Sequence, residues 1–212
     1  MSLLVEVVHP LVQHHLARLR DEQTPPWEFR QAVQRLAQLV AYEATQDLLT
    51  RDQPIRTPLA PTTAQVLAQR IGLVPILRAG LGMVDTIHNL IPTAEVWHLG
   101  LYRDETTALP IEYYCKLPKT EPVDVAMVLD PMLATGGSII ASLEALDRWG
   151  VKSLKVLSLI AARPGIAAVH EAFPRASIYV CAIDAELNSR KFIVPGLGDA
   201  GDRTFNTLCH EE

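Results

Sequence analysis

One stretch of the chain carries the residue types and spacing that grip an anion. Residues Val125–Ser142 read VAMVLDPMLATGGSIIAS. An apolar run ends in Asp130, the link Pro131, Met132, Leu133 and Ala134 follows, and Thr135, Gly136, Gly137 and Ser138 lead into a second apolar run. Small residues let backbone N–H groups converge, and a helix starting there offers unpaired donors at the positive end of its dipole. Phosphate is the natural guest of such a cradle. The nucleoside-triphosphate loop is excluded, because its G-x-x-x-x-G-K-[ST] spacing and its lysine are missing. The ordinary alternative is a strand-to-helix turn capped by Thr135 or Ser138. Asp130 at one end and Ser138 at the other favour the phosphate reading.

Three further strings place polar groups at the ends of apolar runs. In VPILRAGLGM, Arg78 follows Val74–Leu77, and a guanidinium there can hold phosphate oxygens through paired N–H bonds. Gly80 and Gly82 suggest a dinucleotide fingerprint, but Asp85 stands where its third glycine belongs and would repel the phosphate. Gly196–Gly201, GLGDAG, satisfies G-x-G-x-x-G formally, yet only residues Asp202–Glu212 follow it in this sequence, too few for the helix, second strand and ribose-binding acid. Its glycines permit an exposed loop whose own N–H and C=O groups face outward and can read a flat heterocycle by its hydrogen-bonding pattern, a plain surface-turn tail being the default reading of these residues alone. In LYRDETT, Arg103 stands beside Asp104 and Glu105, which by itself reads as a solvated charge cluster.

These strings need a scaffold that brings them together. Short Val, Ile and Leu-rich runs at Gly72–Leu77, Glu95–Leu101, Val125–Asp130, Leu154–Ala161 and Ser177–Ile183 predict buried strands. Helices are predicted between most of them, at Gly82–Leu90, Ser138–Trp149 and Gly165–Phe173. Strand and helix in alternation predict an α/β fold, a parallel sheet covered on both faces with its ligands beyond the carboxyl strand ends. The first third reads as helical. Pro25 and Pro26 open a long helix whose apolar positions run from Phe29 to Leu48, a shorter one spans His9–Arg20, and the three prolines between Thr50 and Pro61 mark a connector. Arg103–Lys119 and Pro195–Gly201 are long enough to act as binding loops or lids.

Composition narrows the function classes. At 212 residues, 49% hydrophobic and 20% charged, the chain fits one folded domain spanning residues 1–212. A net charge of -5 leaves no global positive field for nucleic acid. Cys115, Cys181 and Cys209 form neither a disulfide framework nor zinc spacing, which points to a reducing cytoplasm. MSLLVEVVHP contains Glu6 and no basic leader, so no secretory signal is expected, and no apolar run approaches membrane length. The histidines show no metal-ligand spacing, and no protein metal site is expected.

The string DPMLATGGS, with Pro131 where many type I phosphoribosyltransferases carry a second acid, resembles the uracil phosphoribosyltransferase family. VEVVHPLV, VPILRAGLGM, LYRDETT, EYYCKLP and IVPGLGDAGD lie in that family's order, so the resemblance runs from Val5 to about Asn206. It implies a type I phosphoribosyltransferase-like parallel sheet flanked by helices, with N-terminal helices and a small C-terminal hood over the base. The implied reaction is pyrimidine salvage by a pentosyltransferase: uracil plus 5-phospho-α-D-ribose 1-diphosphate (PRPP) gives UMP and diphosphate. Catalysis falls on Asp130 and Arg103. PRPP contacts fall on Arg78, Arg103, Asp130, Pro131, Met132, Leu133, Ala134, Thr135, Gly136, Gly137, Ser138 and Asp199; uracil contacts fall on Ile193, Gly198, Asp199 and Ala200. It further implies Mg2+ held mainly by the substrate diphosphate, a homodimer or higher homo-oligomer, and in some members a GTP effector. The alternatives are a phosphoribosyltransferase for another base, a pyrimidine-sensing RNA-binding regulator on the same fold, and a dinucleotide-binding oxidoreductase using Gly80 and Gly82.

Overall fold

A computed structural model describes residues 3–103, 110–115, 117–118 and 121–207. The chain opens with strand β1 (Leu3–Glu6), helix α1 (Pro10–Arg20) and helix α2 (Pro26–Ala44). His9 caps α1 by accepting the Leu11 N–H, and Pro26 opens α2, where its missing N–H costs nothing. Phe29, Val33, Leu36 and Val40 recur at helical spacing and are completely buried, each such burial contributing about 1.5–3 kcal/mol. The helix stops at Ala44, short of the predicted Leu48, where the Thr45 hydroxyl turns back to the Ala41 carbonyl.

The proline-rich connector is a two-stranded antiparallel ribbon, β2 (Thr50–Arg56) and β3 (Pro61–Leu67). Both of its strands are edges, so Pro54 opposite Thr63 need not complete a central ladder. Thr57 makes the turn, its hydroxyl accepting the N–H groups of Leu59 and Ala60.

The predicted strands and helices follow, except that the single strand expected at Glu95–Leu101 is split in two and five strands run in succession from β5 to β9: β4 (Ile71–Pro75), α3 (Leu81–Leu90), β5 (Glu95–Val96), β6 (Leu99–Arg103), β7 (Pro110–Cys115), β8 (Val125–Leu129), β9 (Met132–Leu133), α4 (Gly137–Trp149), β10 (Ser153–Ala162), α5 (Arg163–Ala172) and β11 (Ser177–Asp184). A small hairpin, β12 (Glu186–Leu187) and β13 (Ile193–Val194), and α6 (Ala200–Phe205) finish the chain. The main sheet runs β1-β11-β10-β8-β4-β5, with β9 beside β10, and its pairings are parallel. The N-terminal apolar run, placed by sequence in a helical third, is therefore an edge strand against β11. The long polar connection after Arg103 is an antiparallel pair, β6 with β7; residues 104–109 lie outside the described residues.

Side chains alternate across the sheet and build two cores. Leu73, Met127, Leu129 and Leu157 pack with α1, α2 and α3, whereas Val74, Val128, Val156 and Val180 pack with α4 and α5. Lys155 is the exception in β10. Buried to 2% exposure, its ammonium donates to the Ala44 carbonyl and pairs with the Asp47 carboxylate, a cation set at the carbonyl end of α2. Among the described residues no helix is long and apolar enough to cross a membrane.

Candidate active site at the carboxyl ends of the strands

Asp130 leaves the end of β8, and its Oδ1 accepts the Met132 N–H at 3.2 Å, which fixes the carboxylate at the sheet edge. Pro131 lines neither neighbouring cavity; its carbonyl accepts from Leu159 and Ile160, tying the link to β10. Gly136, with φ +86°, is the residue from which α4 starts, and no side chain caps that helix. The cap position of α4 is thus held by Gly136 and not by Thr135 or Ser138. A Cβ on Gly136 would stand 3.0 Å from the Gly165 carbonyl and 3.2 Å from Val169, so glycine is demanded by both its conformation and its neighbours. The resulting cavity, about 50 Å³, is lined by Asp130 and by Met132 through Ile139. It is the size of an anion rather than a nucleotide.

A larger cleft of about 370 Å³ opens beside it, and Asp130, Met132 and Ala134 line both. Its far wall is the C-terminal hood: Gly198, Asp199, Ala200 and Gly201 from one side, and Arg190, Lys191 and Phe192 from the β12–β13 turn. Of the sequence-predicted base contacts, Gly198, Asp199 and Ala200 reach the cleft, whereas Ile193 is 3% exposed and packs into the core behind it. Arg190, Lys191 and Phe192 escaped the sequence reading. The signal for them was Asn188, whose Oδ1 accepts the N–H groups of Arg190 and Phe192 and curls the turn inward, with Lys191 at φ +66°.

The GLGDAG loop differs from its expected outward-facing form in its first half. Gly196 is buried, its N–H donating to Asp184 Oδ2 at 2.9 Å and its carbonyl accepting from Arg20 at 2.9 Å. The next carbonyl, Leu197, accepts from Arg203 at 2.8 Å. Only the second half faces the cleft. Asp199 caps α6, its Oδ1 accepting the Asp202 N–H at 2.9 Å. Burial pushes the Asp184 carboxyl upward, but the Arg20 hydrogen bonds, the Gly196 N–H and the Arg20 charge outweigh it, leaving the group below its ordinary value.

Arg78 follows β4 and is exposed; its guanidinium donates to Asp202 at 2.8 Å, next to Gly201 on the cleft wall. The Thr207 hydroxyl, opposed by burial and joined by Arg78, holds Asp202 below its ordinary value. Arg103 ends β6, and its side chain, like Asp104 and Glu105, lies outside the described atoms. For a divalent cation the cleft offers two hard oxygen donors, Asp130 and Asp199. That donor set fits an ion whose remaining ligands come from a bound diphosphate.

Comparisons with known proteins give the family and the fold. A sequence model of the family described as uracil phosphoribosyltransferase matches residues 6–207. The chain is 57% identical to a uracil phosphoribosyltransferase of Roseiflexus castenholzii over 94% of this chain and 96% of that one. Among solved structures, the AQ2163 protein of Aquifex aeolicus superposes with a TM-score of 0.93 at 33% identity, covering 98% of this chain and 100% of that one. A hypoxanthine phosphoribosyltransferase of Staphylococcus aureus superposes at 0.50 with 14% identity over 74% of this chain and 76% of its own, which shows a shared type I phosphoribosyltransferase fold. On the strength of the matched length and identity, the chain belongs to the uracil phosphoribosyltransferase family.

Proposed function

We propose that the chain joins uracil to the phosphoribosyl group of PRPP, releasing UMP and diphosphate. The observation that carries this reading is the sharing of Asp130, Met132 and Ala134 by the small cradle and the larger cleft. One sugar can then hold its 5'-phosphate in the cradle while its anomeric carbon faces a base under the hood. The bond from that carbon to the diphosphate oxygen breaks, the oxygen keeping the electron pair. Uracil N1 forms the new bond, and its proton passes to the departing diphosphate or to water. Positive charge develops on the sugar, and the Asp130 carboxylate, which lines both cavities, holds the ribose hydroxyls and favours that charge.

Little covalent help is needed, so alignment does most of the work. Thr135, Gly136, Gly137 and Ser138 grip the phosphate, Arg78 and Arg103 neutralise the diphosphate, and Gly198, Asp199 and Ala200 read the base. Mg2+ brought in on the diphosphate would neutralise the leaving oxygens, with Asp130 and Asp199 as the protein groups able to meet its shell.

Incubation with labelled PRPP and uracil, cytosine, hypoxanthine, guanine or orotate tests the reading. Preferred formation of UMP is expected; preferred turnover of another base overturns it. A salt-dependent shift of RNA without turnover would replace it by the RNA-binding alternative.

A homo-oligomer is part of the same reading. Among the described residues the β2–β3 ribbon pairs only with itself in the sheet arrangement, and it exposes Leu59 to 94% together with Ile55 and Leu67. Lone two-stranded ribbons are marginal in water, which supports a second copy covering this one. Leu59→Asp should shift sedimentation towards the monomer. Family membership supports GTP as an effector, tested by the rate with and without it, and a cytoplasmic location consistent with a free, buried Cys181.

A further inference from the structure

The base-reading half of the hood is not held by the sheet. Gly198–Gly201 follow two residues, Gly196 and Leu197, whose main-chain groups are taken up by side chains from remote parts of the chain, and Ala200 packs into the core. Arg20, the last residue of α1, forks onto Asp184, the last residue of β11, at 2.7 and 2.8 Å. The same guanidinium donates to the Gly196 carbonyl, while Asp184 Oδ2 accepts the Gly196 N–H. Both polar groups of one glycine are thus bound by one ion pair. The glycine is required: at φ +59°, a Cβ would lie 2.1 Å from the Ile193 carbonyl oxygen.

Arg203 adds a second hold one residue later. Its Nη1 donates to the Leu19 and Leu197 carbonyls at 2.7 and 2.8 Å, and its Nη2 to the Asp21 carbonyl at 2.6 Å. The group is 8% exposed and lies 4.3 Å over the Phe29 ring. Its charge meets the carbonyl end of α1, where the helix dipole is negative. The end of α1 therefore serves as the fixed post to which the base loop is tied at two successive residues.

We infer that Arg20 and Asp184, together with Arg203, are positioning residues for the base: they do not line the cleft but set where Gly198, Asp199 and Ala200 stand in it. The inference rests on the reading of that cleft as the uracil site. It separates the two halves of the active centre, because none of these contacts reaches the cradle at Gly136–Ser138.

The test uses Arg20→Met, which keeps the stem and removes the fork, and Arg20→Lys, which keeps the charge. Asp184→Asn and the double variant complete a cycle. KM is measured for uracil and for PRPP, along with kcat, Tm and the ratio of kcat/KM for uracil over cytosine. Loss of one member of this partly buried, hydrogen-bonded charge pair should raise the KM for uracil by about tenfold to a hundredfold. The KM for PRPP should stay within about twofold, the uracil-to-cytosine ratio should fall, and Arg20→Lys should recover part of each loss. The double variant should be no worse than the poorer single variant. An unchanged uracil KM, or uracil and PRPP values rising together in step with a falling Tm, overturns the inference. Wild-type protein without turnover of uracil would instead overturn the reading it rests on.

Discussion

The cradle and the hood face the same cleft but are built in opposite ways. The cradle is continuous in sequence from Asp130 to Ile139, and its shape follows from one strand end, one left-handed glycine and one helix start. The hood is held by contacts between residues far apart in sequence, 164 positions for Arg20 with Asp184 and 184 for Arg203 with Leu19. A short run of small residues can define an anion site because backbone N–H groups converge locally. Reading a planar base needs several groups at fixed spacing, and a loop of six residues holds that spacing only with outside support.

The largest expected effect falls on the group common to both regions. Asp130→Asn should lower kcat/KM by about 10²–10³-fold with little change in Tm, as read by steady-state kinetics and thermal unfolding. Wild-type kinetics would show that the two regions do not meet at this carboxylate.

Next come two glycines that separate the regions. Gly136→Ala meets both a left-handed backbone and close neighbours, and should raise the KM for PRPP by more than about tenfold. Gly198 has φ +80° and open space, its closest neighbour being Arg203 Cδ at 3.8 Å, so Gly198→Ala carries the conformational cost alone. About fivefold in the KM for uracil, with PRPP unmoved, is the expected result. Crossed effects on the wrong substrate would erase the distinction.

Acid should distinguish the regions more gently. Asp184 has its folded value depressed, so its contribution is present above the unfolded value and is lost as pH falls through the folded one. Uracil binding should show no loss from this pair between about pH 8 and pH 5, and the hood should loosen only below the ordinary aspartate range. The smallest effect concerns the sheet under both regions. Burial pushes the Cys181 thiol up to about 12, and iodoacetamide at about pH 8 should leave it unmodified in the folded protein, as read by mass spectrometry.

The same contrast explains what could be read from the chain. Strand β8, Asp130, the Gly136 turn and α4 follow from local pattern, and the buried runs at β4, β10 and β11 reveal the parallel sheet. The ribbon β2–β3 was obscured because Pro54 and Pro61 read as breakers, yet edge strands tolerate them. Edge strand β1 is four residues long, too short to show a period. The inward half of GLGDAG was hidden for a different reason: its partners Arg20, Asp184 and Arg203 have no sequence spacing that connects them to it. Phe192 and Lys191 were reachable through the Asn188 turn signal alone.

Arg78 already has a counter-ion in Asp202. An arriving diphosphate would therefore swap one ion pair for another instead of meeting a bare cation. At that residue charge is exchanged rather than added, and the cations that already line the cleft are Arg190 and Lys191 on the wall opposite the cradle.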